Sequence, residues 1–336
     1  MHDLGKTRLP LWLLLFFLAL LPGCSSVKKG AVNAMAGALS GGGEGGTNVF
    51  TSEDDPDLIK EALPFALKTF EALLQEVPEN TDLLLTTCQG YALYAYANAD
   101  LEAERLFGST APGSYRQARF QQERALKFYL RARDYCFRAL DTVYPGLSQE
   151  LTRDPGEALA KVELEHLPLL YWTAGTWGSA VSQGVDRPEL VVHLPSVRAL
   201  LGRSLELDED YGDGALHEAM ILLEALPETM GGSLERAQFH YERALELNGG
   251  KQAGIYVTWA RTVAVNEQDR DLFVELLEKA LALDLEGVAE NDRLVHVMQQ
   301  RLAKILLDRI DEFFLPPLDE EEGWEEDPQP EDGGTP

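Results

Sequence analysis

Histidines, carboxylates and serines are the side chains that most often catalyse reactions or bind metals, and here they form no recognised motif. His217 and Glu218 stand near Asp213, but one histidine and two carboxylates on a helix are common, and no nucleophile motif accompanies them. Neither His-Glu-x-x-His nor Gly-x-Ser-x-Gly occurs, and the remaining histidines after the amino-terminal segment are isolated: His166, His193, His240 and His296. The sequence therefore predicts no enzyme activity, no metal site and no cofactor.

A short apolar run near the amino end predicts export. Lys6 and Arg8 precede the unbroken apolar residues 11–21. This run is well short of the ~20 residues that a membrane-spanning helix needs. Residues 1–23 are therefore predicted to be a secretory signal peptide that is removed after export.

Cys24 is the residue for which a covalent modification is predicted. Leu21-Pro22-Gly23-Cys24 resembles the lipobox of bacterial lipoproteins, in which the cysteine thiol receives a diacylglyceryl group. Acyl chains such as palmitate would then hold the protein at a membrane, because two or more chains give stable anchoring. Ser25 is not the aspartate that commonly retains lipoproteins at the inner membrane, which favours the outer membrane. A plain secretory signal with a chance cysteine is the alternative.

The chain is long and strongly acidic. It has 336 residues, with 29 Lys plus Arg against 56 Asp plus Glu and a net charge of −27. Such a surface repels phosphate polyanions, so nucleic acid is not a predicted partner. Residues 24–50, which start at the lipidated cysteine and are rich in Gly, Ala and Ser, are predicted to be a flexible tether. Residues 317–336 contain nine acidic and no basic residues and are predicted to be a disordered acidic tail.

Between these ends, residues 51–316 carry apolar side chains at spacings of three and four, which predicts an all-α domain. Asp55 before Pro56 predicts a helix start, and Pro78 with Asn80 predicts a helix end followed at once by another start. Helix, short turn and helix is therefore the expected repeating unit.

Triplets of a small, a large and a small residue recur within this region and resemble the second helix of a tetratricopeptide repeat (TPR). Two nearly identical hexapeptides, 203–208 and 243–248, support duplication. The sequence therefore predicts a TPR-like α-solenoid of degenerate helical hairpins, whose concave surface is available for binding. A non-repetitive helical bundle is the alternative. The triplets are Ala66-Phe70-Leu73, Ala132-Cys136-Ala139, Val197-Leu201-Ser204, Ala237-Tyr241-Ala244 and Phe273-Leu277-Ala280.

From Asp55 to Leu315 the sequence resembles the T-component family of TRAP-transporter-associated tetratricopeptide lipoproteins, also called TatT. The following segments carry the resemblance: Glu61-Ala62-Leu63-Pro64-Phe65-Ala66-Leu67-Lys68, Tyr171-Trp172-Thr173-Ala174-Gly175-Thr176-Trp177-Gly178, Tyr211-Gly212-Asp213-Gly214-Ala215-Leu216-His217-Glu218, Met230-Gly231-Gly232, Gly249-Gly250-Lys251, Tyr256-Val257-Thr258, Gln268-Asp269-Arg270 and Leu306-Leu307-Asp308-Arg309-Ile310-Asp311.

This resemblance implies a periplasmic helical lipoprotein that forms a homo-oligomer, expected to be a trimer. It implies binding to the extracytoplasmic solute-binding protein of a tripartite ATP-independent periplasmic (TRAP) transporter. It also implies a pore or cavity that holds or passes a hydrophobic small molecule, and no catalysis. The glycine-rich tether and the long acidic tail depart from the family pattern but leave docking through the helical core unaffected.

An aromatic segment supplies the candidate ligand-lining residues. Glycines stand inside this predicted helix, where each costs ~1 kcal/mol relative to alanine and usually has a packing or functional reason. A second aromatic pair, three residues apart, is expected near the same cavity. Close helix packing is the alternative for both groups. The candidates are Tyr171, Trp172, Thr176, Trp177, Ser179, Tyr256 and Trp259.

A basic stripe stands out in so acidic a chain. Arg116, Arg119, Lys127 and Arg131, with Glu123 among them, recur at spacings typical of one helix face. The stripe could meet an acidic partner or a neighbouring subunit. Internal pairing, for instance with Glu102 and Glu104 on the preceding helix, is the favoured interpretation.

Two cysteines remain after lipidation, Cys88 and Cys136, each inside an apolar helical pattern. An oxidising compartment permits a disulfide, but neither the spacing nor the neighbours of these residues indicates one. Buried unpaired thiols are the preferred prediction.

Three functions are compatible with these observations. The first is a lipid-anchored accessory component of a TRAP transport system. The second is a TPR-like scaffold lipoprotein that supports envelope assembly and binds no small molecule. A helical hydrolase without a recognisable motif is the third and has no residue to support it.

Overall fold

The computed structural model describes residues 48–316, together with residues 30, 32–34 and 37. The predicted signal peptide, Cys24, most of the tether and residues 317–336 lie outside this part. Every regular element of the described residues is helical, which confirms the all-α prediction there. No helix among them is both long and apolar enough to cross a membrane.

The helices are numbered in chain order, with two π-helical turns and several short 3-10 turns between them. One π-helical turn, Tyr96–Asp100, joins α2 to α3, and the other, Ala260–Ala264, follows α12. The α-helices are α1 (Pro56–Glu76), α2 (Thr81–Ala95), α3 (Leu101–Phe107), α4 (Ser114–Val143), α5 (Leu147–Glu150), α6 (Pro155–Leu159), α7 (Leu167–Gln183), α8 (Pro188–Val191), α9 (Leu194–Leu207), α10 (Ala215–Glu224), α11 (Leu234–Asn248), α12 (Ala253–Trp259), α13 (Arg270–Ala282) and α14 (Arg293–Asp308).

The predicted helix boundaries near residues 55 and 80 are confirmed, and each has a capping side chain. The Asp55 carboxylate accepts hydrogen bonds from the backbone N–H groups of Asp57 and Leu58, at 2.9 and 3.3 Å. The Asn80 side chain accepts one from the N–H of Leu83 at 2.8 Å. These bonds satisfy N–H groups that a helix start leaves without an intrahelical partner.

The small-large-small triplets lie where helices pack against each other. In α4, Ala132, Cys136 and Ala139 are fully buried, and in α13 Phe273 and Ala280 are too. Small residues let the neighbouring backbone approach, and the large residue between them fills the space that remains. The triplet pattern therefore marks the face of each helix that packs against its neighbours.

Helices pack largely against their neighbours along the chain, and the last helix returns to the first ones. Consecutive contacts run from α1 and α2 through α4, α7, α9, α10 and α12 to α14, and α14 also packs on α1 and α3. Arg301 of α14 pairs with Asp57 of α1 at 3.1 Å, and the N–H of Leu294 donates to the carbonyl of Thr51 at 3.0 Å. The array is thus closed rather than open-ended.

Cys88 and Cys136 form a disulfide between α2 and α4, so the preferred prediction of unpaired thiols is wrong. Both residues are fully buried, and their Cα atoms are 5.4 Å apart. The two cysteines are 48 residues apart along the chain and come together because α2 packs against α4. The spacing of residues within one helix does not predict which helices pack together, so the sequence does not indicate this bond.

Candidate functional site: a tyrosine-lined inner cluster with two carboxyl groups

The first π-helical turn brings a tyrosine and an aspartate into the interior of the closed array. Tyr96 and Asp100 are the first and last residues of this turn, and both side chains are half-buried. A π-helical turn interrupts the regular i to i+4 hydrogen bonding, and such turns often occur at functional sites because they redirect side chains. The irregular turn therefore marks this position as a candidate site.

Asp100 is held by side chains from two other helices. The Tyr129 hydroxyl of α4 donates to Oδ2 at 3.0 Å, and the Gln183 side-chain amide of α7 donates to Oδ1 at 2.9 Å. Burial nevertheless raises the pKa of Asp100 to about 6, against the opposing charge of Arg261. The carboxyl group is positioned by hydrogen bonds but poorly solvated.

Glu218 of α10 is the second interior carboxyl group. The Thr258 hydroxyl of α12 donates to its Oε1 at 3.0 Å. A Cβ atom at Gly254, also on α12, would lie 2.6 Å from the same oxygen, so the glycine leaves room for the carboxyl group. Burial raises the pKa of Glu218 to about 7, so the group is partly protonated at neutral pH.

The Tyr96 side chain lies close enough to sense both carboxyl groups. Burial raises its pKa, and the negative charges of Asp100 and Glu218 raise it further, while Arg261 acts in the opposite direction. Its hydroxyl is buried and has no hydrogen-bonding partner within the described part of the chain. We call this group of side chains the inner cluster: Tyr96, Asp100, Tyr129, Gln183, Glu218 and Thr258.

The two carboxyl groups have similar environments. Asp100 and Glu218 each keep some accessible surface. Burial within the protein raises the pKa of each of them. Ionisable groups whose pKa is shifted by burial occur often at functional sites, which makes this cluster a candidate site.

The second π-helical turn supplies the positive charge near this cluster. Arg261 lies in the turn after α12, and its guanidinium is 3.5 Å from Glu104 Oε1. Glu104 in turn pairs with Arg309, just after α14. Both irregular turns therefore contribute charges to one region, where α3, α12 and the end of α14 meet.

Two of the predicted ligand-lining residues adjoin the inner cluster. Tyr171 and Trp172 of α7 are half-buried, with ring centroids 5.5 Å apart, and Tyr171 also contacts Tyr211 at 5.4 Å. Burial raises the pKa of Tyr171, and the charge of Glu218 adds to the effect. Tyr171 therefore lies within electrostatic reach of Glu218.

The other residues of that aromatic segment pack differently. Thr176 and Trp177 are almost fully buried, and the Trp177 ring meets Phe137 edge to face at 5.0 Å. Ser179 is half-buried on the same helix. Helix packing, the alternative interpretation, accounts for the buried positions of Thr176 and Trp177.

Tyr256 and Trp259 of α12 are also buried. The Tyr256 hydroxyl donates to the carbonyl of Gly250 at 3.0 Å, and Trp259 stacks on Tyr241 at 4.4 Å. Both residues thus serve packing within the α11–α12 region, and ligand lining stays a prediction for the whole set.

The sequence prediction did not include the two carboxyl groups of the inner cluster or Tyr96. A usable signal existed for Asp100, because it stands between Ala99 and Leu101 in a long apolar helical segment where a charge is costly. Glu218 gave a weaker signal, because it stands beside His217 and near Asp213, a combination that resembles a metal-binding or acid-base motif.

His217, which directly precedes Glu218, forms a buried pair with His240. Their Nδ1 atoms are 2.8 Å apart, and Glu209 Oε1 lies 3.3 Å from His217 Nε2. Burial lowers the pKa of His240 to about 4, so the pair is neutral at neutral pH. Across the described residues, no three His, Cys, Asp or Glu side chains are arranged to bind a metal.

The internal pairing predicted for the basic stripe is present at Arg131 and Arg119. Glu102 and Glu104, named as examples of partners, are not the carboxylates involved. Arg131 pairs with Glu71, and Arg119 lies 3.5 Å from Asp186. Arg105, on the same helix, binds Glu102, and Arg309 and Arg261, from the far end of the chain, bind Glu104. The rest of the basic stripe is partly exposed.

Comparison with known proteins gives two findings. The family described as TRAP transporter T-component matches residues 52–314. A protein of Treponema pallidum (strain Nichols), described as uncharacterized, is 30% identical over 274 residues, which cover 80% of this chain and 83% of the relative. The matched region contains the whole inner cluster and the disulfide.

Proposed function

The chain belongs to the TRAP transporter T-component family, and from this membership we propose that it is a periplasmic, lipid-anchored accessory component of a TRAP transport system. In this proposal it binds the solute-binding protein of the transporter and holds or relays a hydrophobic ligand. The family is a transport family rather than an enzyme family, and its components are associated with the cell envelope.

The apolar run before Cys24 supports the anchor. A signal peptide followed by a lipobox-like cysteine would place the body on the far side of the inner membrane, tied through residues 24–50. The prediction of an outer-membrane site rests on Ser25. We propose further that the body forms a homo-oligomer, expected to be a trimer, as the family resemblance implies.

The single observation that best supports ligand holding is the environment of Asp100 and Glu218. Burial raises the pKa of both carboxyl groups, the Tyr129 hydroxyl donates to Asp100, and the charge of Glu218 acts on Tyr171. Aromatic rings would contact the apolar body of a ligand, and a neutral carboxyl group or the unpartnered Tyr96 hydroxyl would hydrogen-bond to its polar group. A ligand with one polar end and an apolar body fits this combination.

A direct test would isolate the protein from its native envelope in mild detergent and analyse bound small molecules by mass spectrometry. We expect an amphipathic molecule that is lost when Trp172→Ala and Glu218→Ala are combined. Phe65→Ala, a substitution at an exposed ring of α1, should leave the molecule bound. Absence of any such molecule from the unmodified protein would argue against ligand holding and favour the scaffold function.

The partner is tested separately. The protein without its signal should co-elute at micromolar concentrations with the solute-binding protein of its own TRAP system, and an unrelated solute-binding protein should not. Failure to form this complex would contradict the accessory role even if a ligand were found.

A further inference from the structure

The outer side of α4 is a basic and partly apolar surface on an acidic protein. This helix carries seven of the 29 Lys and Arg residues and only three acidic ones. We define the α4 face as Tyr115, Arg116, Arg119, Phe120 and Lys127. A concentration of positive charge on one helix, in a chain with net charge −27, is a distinct electrostatic feature.

Within the described part of the chain, some charged groups of the α4 face have no ionic partner and its aromatic rings are largely exposed. Arg116 and Lys127 are exposed and have no ionic partner there. The Tyr115 and Phe120 rings are 68% and 66% exposed, and Val185, in the turn that contacts α4, is 66% exposed. Apolar rings between unpaired cations suit a segment that combines acidic with aromatic residues.

The described chain ends close to this face. The Arg309 guanidinium lies 5.2 Å from the Phe313 ring and 5.9 Å from the Phe107 ring. The Phe107 ring is 5.7 Å from the Tyr115 ring. The Phe313 ring is therefore at most about 17 Å from the ring of Tyr115, the second residue of α4, because the direct distance cannot exceed the sum of these three distances.

The residues that follow have the composition this face would bind. Residues 317–336 contain nine acidic and no basic side chains, with Trp324 between Gly323 and Glu325. Twenty residues can extend to roughly 66–72 Å, whereas α4 is ~45 Å long. The segment can therefore reach any part of the α4 face.

We propose that residues 318–332 dock on the α4 face of their own chain, with the acidic side chains near Arg116, Arg119 and Lys127 and Trp324 against Phe120. Each exposed ion pair contributes little by itself, but several charges in one network add to the contact of two aromatic rings. The net negative charge of the chain repels an acidic segment, whereas this basic face attracts it. The docked segment would shield the face from other acidic partners.

The test uses the full-length chain with the photo-crosslinker p-benzoyl-phenylalanine in place of Trp324. Irradiation followed by peptide mapping should give adducts on α4 between residues 115 and 131. Reversing the two unpaired charges in R116E/K127E should lower the yield of these adducts at least threefold. The matched control R153E/K304E changes the net charge equally at exposed positions outside α4 and should leave the yield unchanged. Raising the salt to ~1 M, where the screening length is ~3 Å, should lower it as R116E/K127E does.

Three results would overturn the proposal. One is the absence of adducts on α4, and another is a yield that R116E/K127E does not reduce. The third is found by mixing isotopically heavy and light chains: adducts that join heavy to light chains would show that the segment binds another copy. Circular dichroism of each variant establishes that the body is folded in every comparison.

Discussion

Arg309 and Glu104 are 205 residues apart and join the end of the helical array to its beginning. The Arg309 guanidinium donates to the backbone carbonyl of Glu104 at 3.1 Å and also pairs with its carboxylate. Only 10% of the Arg309 side chain is exposed. A charged side chain in this position stabilises the closed arrangement because its partner Glu104 lies on α3, near the beginning of the array.

Removing this link should measurably destabilise the protein. We expect Arg309→Ala to lower the free energy of unfolding by about 2–3 kcal/mol, because it removes charged hydrogen bonds and leaves Glu104 poorly compensated. Urea denaturation followed by circular dichroism measures the change.

The control for this variant is Arg270→Ala. Arg270 pairs with Asp311 at 2.8 Å, but both side chains are largely exposed, so a loss of less than about 1 kcal/mol is expected. Equal losses for the two variants would show that closure by Arg309 contributes no more than a surface ion pair.

The disulfide between Cys88 and Cys136 should contribute to stability through the unfolded chain. The cysteines are 48 residues apart, and closing a loop of that length in the unfolded state corresponds to about 4 kcal/mol. Reductant should therefore shift the urea midpoint of the unmodified protein strongly to lower concentration. The double variant Cys88→Ala/Cys136→Ala should have a low midpoint that reductant does not move. A midpoint of the unmodified protein that is insensitive to reductant would contradict this contribution.

The sequence predicted the helical class and two helix boundaries because these depend on local chemistry. Asp55, Pro56 and Asn80 cap or start helices through bonds within a few residues. The small-large-small triplets were detectable because helix packing repeats every three or four positions.

The disulfide, the partners of the basic stripe and the inner cluster could not be predicted in the same way. Glu104 illustrates the reason. The basic stripe is near it in sequence, but the closed fold brings the distant Arg309 and Arg261 to it instead. Asp100 and Glu218 come from separate helices, and their common environment depends on how those helices surround Tyr96. Tyr171 and Trp172 could be identified from the sequence because aromatic residues and glycines within one helical segment form an unusual local pattern.

Glu218 should make the stability of the protein depend on pH. Its pKa rises from an ordinary value of 4.5 to about 7 in the folded protein. The folded state therefore binds more protons than the unfolded state between these pH values, so stability from this group is present below pH 4.5 and is lost as pH rises to about 7. Glu218→Gln removes the ionisation and should gain roughly 2 kcal/mol relative to the unmodified protein above pH 7, but little near pH 4.

Denaturation measured at several pH values checks this expectation. Glu278→Gln, at an exposed position of α13, controls for the loss of one negative charge from an acidic surface. His240 acts in the opposite direction, because its lowered pKa makes stability rise with pH between about 4 and 6.5. The comparison of Glu218→Gln with the unmodified protein cancels this contribution. A stability difference between them that is the same at pH 5 and pH 8 would show that Glu218 is not desolvated.

Gly254 provides the sharpest test of how closely α12 approaches Glu218. Replacing glycine by alanine within an exposed helix normally stabilises a protein by up to about 1 kcal/mol. At Gly254 the new Cβ atom would lie 2.6 Å from Glu218 Oε1, so we expect Gly254→Ala to destabilise the protein by roughly 1–3 kcal/mol. Gly175→Ala is the matched control, because a Cβ atom there has no neighbour within 4 Å, and it should be neutral or stabilising. In a Glu218→Ala background the contact is absent, and Gly254→Ala should then cost much less. Equal costs in both backgrounds, measured by urea denaturation, would mean that Gly254 is required for some reason other than space for the carboxyl group.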